Sequence, residues 1–146
     1  MQGGLRLFRL AGIDVYLDWS LIIIFALITA SLGLGVFPQW HPQWSAATNL
    51  VTAFVAAVLF LASVLAHEYS HALVGRARGM TVNRITLFIF GGVAQIESEP
   101  ADWKSEFWMT IVGPLTSLAL GFLFITFGMT TTPLEAFDPE RPRAFL

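Results

Sequence analysis

The residues best equipped for chemistry stand together, as His-Glu-Tyr-Ser-His from His67 to His71. On a helix, residues four apart lie about 40° from each other on one face and one turn displaced. His67 and His71 can therefore offer imidazole nitrogens to a single metal ion. Glu68 stands beside the first of them, where its carboxylate can take a proton from a metal-bound water and later return it. Two His as ligands with a Glu as general base is the division of labour of zinc-dependent peptide hydrolysis. A chance match in a chain of this length has a probability on the order of a few in a thousand. With no cysteine among its 146 residues, the chain must hold any zinc by His and carboxylate. Zinc needs at least one more protein ligand, with one position left open for water. The remaining histidine, His41, lies in Trp-His-Pro-Gln-Trp and reads as a surface residue beside interfacial tryptophans.

The elements that must carry this motif are strongly apolar. The chain is 55% hydrophobic and 12% charged, about half the charge of an ordinary soluble domain. Its net charge of −2 supplies no basic field for a nucleic acid. Three stretches, at about 19–37, 50–74 and 107–129, are long enough to span a bilayer, which takes roughly 20 residues. The second is charge-free until Ala66 and then runs into the His-Glu motif. A charge at the bilayer centre costs roughly 2.5–3.5 kcal/mol on insertion scales; the motif lies shallower, where the cost is reduced, but three polar groups so placed still call for a partner. Arg6 and Arg9 precede the first span and Arg76, Arg78 and Arg84 follow the second, while 38–49 holds no Lys or Arg. This bias puts the N-terminus and the 75–106 segment on the cytoplasmic side and the tail after Thr130 on the other.

Between the second and third spans, Gly79 suits a helix C-cap. Val-Asn-Arg-Ile-Thr-Leu-Phe-Ile-Phe then reads as a strand, Gly91-Gly92 as a two-residue turn, and Val-Ala-Gln-Ile-Glu as a return strand. The result is a short re-entrant β-hairpin at about 82–97. A helical substrate hides its peptide bonds in its own hydrogen bonds, and an exposed strand edge could hold the unwound segment by β-addition. Ile89, Phe90, Gly91, Gly92 and Val93 are the candidate substrate-binding residues. In the third span, Gly113-Pro114 reads as a kink with close helix packing, and Thr116 and Ser117 as groups that bond to backbone or to a neighbouring helix. Asp102, Trp103 and Lys104 read as an interfacial anchor.

With these residues in hand, the sequence resembles the site-2 protease family of intramembrane metalloproteases. The likeness rests on HEYSHALVGRARGM (67–80), LFIFGGVAQIESEP (87–100) and VGPLTSLALG (112–121), and extends from about residue 5 to 128. The opening IDVYLDWSLIII (13–24) looks like the prokaryotic branch, whose members often carry CBS domains after the membrane part. The resemblance implies that His67 and His71 are zinc ligands and Glu68 the catalytic glutamate. It also implies a third ligand, an Asp in an LDG-type motif on a later helix, and no such motif occurs here. Asp14 and Asp18 precede the first span, Glu97, Glu99, Asp102 and Glu106 fall in the cytoplasmic segment, and Asp138 falls beyond the third span.

The expectation is therefore an all-α polytopic membrane protein with three visible transmembrane helices and one β-hairpin. Residues 1–146 would be the N-terminal part of a membrane metalloprotease domain whose later core helices and third ligand lie downstream. Alone it would not be a competent protease. The complete protein would cleave peptide bonds in or near transmembrane helices, with Zn2+ as cofactor and a membrane protein as substrate. It would sit in the cell membrane with its N-terminus in the cytoplasm. Two other readings stand beside this one: a membrane zinc protease of another class, and a non-catalytic metal-binding or scaffolding subunit.

Overall fold

The computed structural model describes residues 4–96 and 102–131. Strand β1 (Gly4–Leu10) turns through Ala11 and Gly12 into β2 (Ile13–Asp18). Helix α1 (Ser20–Ala30) runs through a π-helical stretch, Ser31–Val36, into the short α2 (Phe37–Trp40). The long helix α3 (Ala46–Ala77) follows, then β3 (Val82–Phe88), β4 (Gly91–Ile96) and helix α4 (Trp103–Thr131). The π-helical stretch ends where Pro38 would otherwise collide with the carbonyl one turn back, and Phe37 N–H bonds Leu32 O across the wider turn.

Three helical segments, Ser20–Trp40, Ala46–Ala77 and Trp103–Thr130, are long and apolar enough to cross a membrane. They are hydrophobic around most of their circumference. Leu34, Leu118, Phe122 and Phe127 are each about 70% exposed, far from the pattern of a water-facing helix. The ends are set by local chemistry. Ser45 caps α3 by accepting from Thr48 N–H at 3.1 Å. At the other end Gly79 takes a positive φ of 86°, with Met80 N–H bonding Gly75 O and Gly79 N–H bonding Arg76 O, both at 3.0 Å. That is a Schellman ending with glycine where a left-handed residue is required. Asp102 caps α4 by accepting from Ser105 N–H at 2.7 Å.

The sheet is larger than the sequence reading allowed. The β3–β4 hairpin is half of a four-stranded sheet in the order β1-β2-β3-β4, with β2 and β3 parallel and the outer pairs antiparallel. The fold is thus mostly helical with a small sheet. Ile13, Val15 and Leu17 alternate with Asp14, Tyr16 and Asp18, so β2 turns one apolar face inward. The hairpin turn is also displaced. Ile89 and Phe90 form it, Phe88 pairs with Gly91, and Gly91-Gly92 opens β4 instead of making the turn.

The buried face of the sheet supplies the core: Ile13, Val82, Ile85 and Leu87 cluster with Leu21 of α1 and Ala72 of α3. Each fully buried aliphatic side chain contributes about 1.5–3 kcal/mol. Polar ties fix the register of this packing. Tyr69 Oη donates to Leu10 O at 2.8 Å, and the Arg76 guanidinium donates to Ala11 O. A neutral hydrogen bond adds only about 1 kcal/mol, so apolar burial holds the sheet on α3 and the ties choose its position.

Candidate metal centre

His67 and His71 project from α3 toward α4, and their Nε2 atoms lie 3.2 Å apart. Two nitrogen ligands of one tetrahedral zinc, each about 2.0–2.1 Å from the ion, would stand about 3.3 Å apart. The outward nitrogens are both engaged. His67 Nδ1 lies 2.8 Å from Ser117 Oγ, and His71 Nδ1 bonds the carbonyl of Met109. A carbonyl can only accept, so His71 Nδ1 carries the proton and, in the neutral ring, Nε2 keeps its lone pair for a metal. This donor set fits zinc, with each imidazole held from its far side as metal-bound histidines usually are.

Helix α4 reaches the imidazoles because of what it lacks. Met109, Gly113 and Ser117 follow one another at four-residue spacing along one face. His67 meets the later and His71 the earlier of these, so the two helices run antiparallel here. A methyl group on Gly113 would lie 2.6 Å from His67 Nε2 and closer still to His71 Nε2. Without it, the backbone comes against both rings and the Met109 carbonyl, one turn earlier, stays uncovered. The sequence reading takes Gly113-Pro114 as packing that brings this span against the His-Glu helix; the structure adds that the contact falls on the two imidazoles themselves. The signal was available in the spacing, since two residues four apart on α3 match three spaced by four on α4.

Glu68 points to another neighbour. Its side chain lies under β4, where a methyl group on Gly92 would come within 2.7 Å of the carboxyl carbon and closer still to Cγ. Among the described residues β4 is an edge strand of the sheet, so the general-base candidate lies beside an edge. Of the five substrate-binding candidates, Gly92 touches Glu68. Val93 lies on the opposite face of β4 and is half exposed, Phe90 at the turn is 88% exposed, and Ile89 N–H is bonded to Ser20 Oγ at 3.1 Å. Gly91, at a φ of 125°, turns the chain into the strand.

Among the described residues, no group of three His, Cys, Asp or Glu side chains converges on a metal position. Three described aspartates are committed elsewhere: Asp14 pairs with Arg6 at 2.7 Å, Asp18 accepts from Ser20 N–H, and Asp102 caps α4. Glu97, Glu99 and Asp138 lie outside the described residues.

A helix that aligns two imidazoles and a glutamate, backed by a second apolar helix and flanked by an edge strand, has the layout of a metallopeptidase of the His-Glu-x-x-His class. The chain belongs to peptidase family M50, the family of the site-2 proteases, whose model matches residues 55–142. Among its relatives, sll0528 of Synechocystis sp. is 40% identical over 92% of this chain, and Rip3 of Mycobacterium tuberculosis 38% over 91%. Both carry "zinc metalloprotease" in their names. The chain spans about a third of the length of these relatives, 35% in each case. The structure of the site-2 protease from Methanocaldococcus jannaschii superposes with a TM-score of 0.65 at 25% identity, covering 89% of this chain and 53% of that one.

Proposed function

We propose that this chain forms the part of an intramembrane zinc protease that carries two ligands and the general base. Its substrates would be membrane proteins cut within or near a transmembrane helix. The observation that carries this reading is the 3.2 Å approach of the His67 and His71 Nε2 atoms on an apolar helix of membrane-spanning length. In the complete protein a carboxylate from elsewhere in the sequence would supply the third ligand. The protein is a polytopic one of the cell membrane, with its N-terminus and the 75–106 segment in the cytoplasm, as the Arg distribution argues. Trp19, Trp40 and Trp103, all more than half exposed and all at helix ends, suit the two interfaces of a bilayer.

Bound zinc would polarise the scissile carbonyl and lower the pKa of its water toward 7. Everything else falls to the chain. His67 and His71 fix the ion's place, and Glu68 takes the water's proton and passes it to the leaving amine. Strand β4 offers its edge to the unwound substrate, and Gly92 keeps that edge against Glu68. The middle of the motif lies about 12 Å from the C-terminal end of α3 at 1.5 Å per residue, within reach of cytoplasmic water.

The test is Glu68→Gln in the full-length gene product, with a single-pass membrane protein as reporter. Zinc content should stay at the parent level while cleavage falls by about 10²–10⁴-fold, the range for loss of a general base. Unchanged cleavage would refute the assignment. Zinc binding with no cleavage by the parent protein would favour a non-catalytic metal-binding subunit.

A further inference from the structure

The hydrogen bonds around the two imidazoles differ in kind, and the difference assigns a task to Ser117. The Met109 carbonyl fixes the proton of His71 on Nδ1 and leaves Nε2 a bare acceptor. At 3.2 Å, two bare nitrogen lone pairs repel, so the pair of Nε2 atoms must share either a proton or a cation. If a proton and both rings are neutral, it belongs to His67 Nε2, and His67 Nδ1 must then accept from a donor. If a cation, His67 Nε2 must be bare, its proton sits on Nδ1, and Nδ1 must then donate to an acceptor. The atom facing Nδ1 in either case is Ser117 Oγ, 2.8 Å away.

A backbone carbonyl could serve only the second state and an ammonium only the first. A hydroxyl serves both, because it carries one donor and two acceptor positions on a rotor. When it accepts from His67, its own proton can turn to the carbonyl of Gly113 one turn earlier, as helical serines commonly do. Helix α4 thus presents a fixed acceptor to one ligand and a reversible partner to the other.

We propose that Ser117 is a positioning residue for the metal centre, a hydroxyl that lets His67 exchange tautomers so that its Nε2 can pass from a proton to a metal ion. The inference rests on the assignment of His67 and His71 as ligands. It predicts that metal affinity depends on a hydroxyl at position 117, which accepts from His67 Nδ1 when the metal is bound, and not on the size of the side chain. Ser117→Ala leaves His67 Nδ1 without a partner in the metal-bound tautomer. Ser117→Thr restores a hydroxyl on the same rotor.

The experiment is zinc affinity of the full-length gene product, measured by competition with a chromophoric chelator. The parent, Ser117→Ala, Ser117→Thr and His67→Ala would be compared, with thermal melting of each metal-stripped protein as a check on folding. Ser117→Ala should bind about 10–100-fold more weakly, the usual cost of losing an outer partner of a metal-bound histidine. Ser117→Thr should recover to within about threefold of the parent on the same footing, with the melting of both unchanged. Parent-like affinity in Ser117→Ala, or affinity in Ser117→Thr as weak as in Ser117→Ala, would overturn the proposal. A parent that binds zinc no better than His67→Ala would instead overturn the ligand assignment beneath it.

Discussion

Gly92 of β4 lies against the side chain of Glu68 on α3 so closely that a single added methyl group would occupy the space of the glutamate's Cγ. This contact joins the strand edge to the general base.

Gly92→Ala should therefore move Glu68, the strand, or both. The clash falls on Cγ and the carboxyl carbon, near the root of the side chain, where rotation of the tip gives no relief. A displacement of about 1 Å at a catalytic group can cost 10²-fold in rate. Cleavage of a membrane reporter should fall by about that factor, with zinc content unchanged because His67 and His71 face the other helix. Loss of zinc together with activity would mean that β4 also supports the metal centre.

How much of this was legible beforehand varies by element and for physical reasons. The helix pattern placed His67, Glu68 and His71 on one helix, and the apolar runs placed three membrane-length segments, because both signals are local. Strands β1 and β2 went unread although Ile13, Val15 and Leu17 alternate with polar neighbours. The pairing of β2 with β3 crosses the whole of α1 and α3, and nothing local announces a parallel partner that far along the chain; β1 then joins the sheet through β2. The turn was misplaced by two residues because Gly91-Gly92 has turn composition. The glycines answer a different demand, a positive φ at 91 and the approach to Glu68 at 92. Ser117 reads from sequence as bonding to backbone or across helices; the four-residue spacing on both helices points toward the histidines, and the antiparallel run of α4 against α3 fixes His67 as its partner.

Tyr69 sits inside the His-Glu-Tyr-Ser-His motif yet serves the sheet, through its hydroxyl on Leu10 O. Tyr69→Phe keeps the ring and loses one neutral hydrogen bond, a cost of about 0.5–1.5 kcal/mol. The expected outcome is a lower melting temperature with zinc affinity unchanged, and faster amide exchange concentrated in β1 and β2. Exchange that speeds up equally throughout the protein would argue against a local tie.

Asp102 links stability to pH. The hydrogen bonds from Ser105, its backbone N–H first, hold the Asp102 carboxyl below the ordinary value of 3.8. A carboxyl with a lowered folded pKa binds its proton more readily in the unfolded chain. Its contribution is therefore complete above pH 3.8 and is lost as pH falls through the lower folded value. Asp102→Ala should melt earlier than the parent at neutral pH, and the difference should shrink toward zero on acidification below that range. A difference independent of pH would show that the charge and its cap bond are not the cause.

Gly113→Ala sets two effects in opposition. Alanine is the better helix former by about 0.8–1 kcal/mol, so propensity alone favours the substitution in the middle of α4. Sterics oppose it at this position, with the new methyl 2.6 Å from His67 Nε2 and closer to His71 Nε2. Relief requires α4 to retreat or the imidazoles to turn aside, and either would separate the rings from the Met109 carbonyl and Ser117 Oγ. Zinc affinity should then fall by more than the 10–100-fold expected from losing one outer partner. Gly121, on the same helix with nothing within 4 Å of its missing side chain, provides the control. Gly121→Ala should leave zinc affinity at the parent value and raise helix stability slightly. If the two variants bind zinc alike, close approach at Gly113 is not what holds the ligands in place.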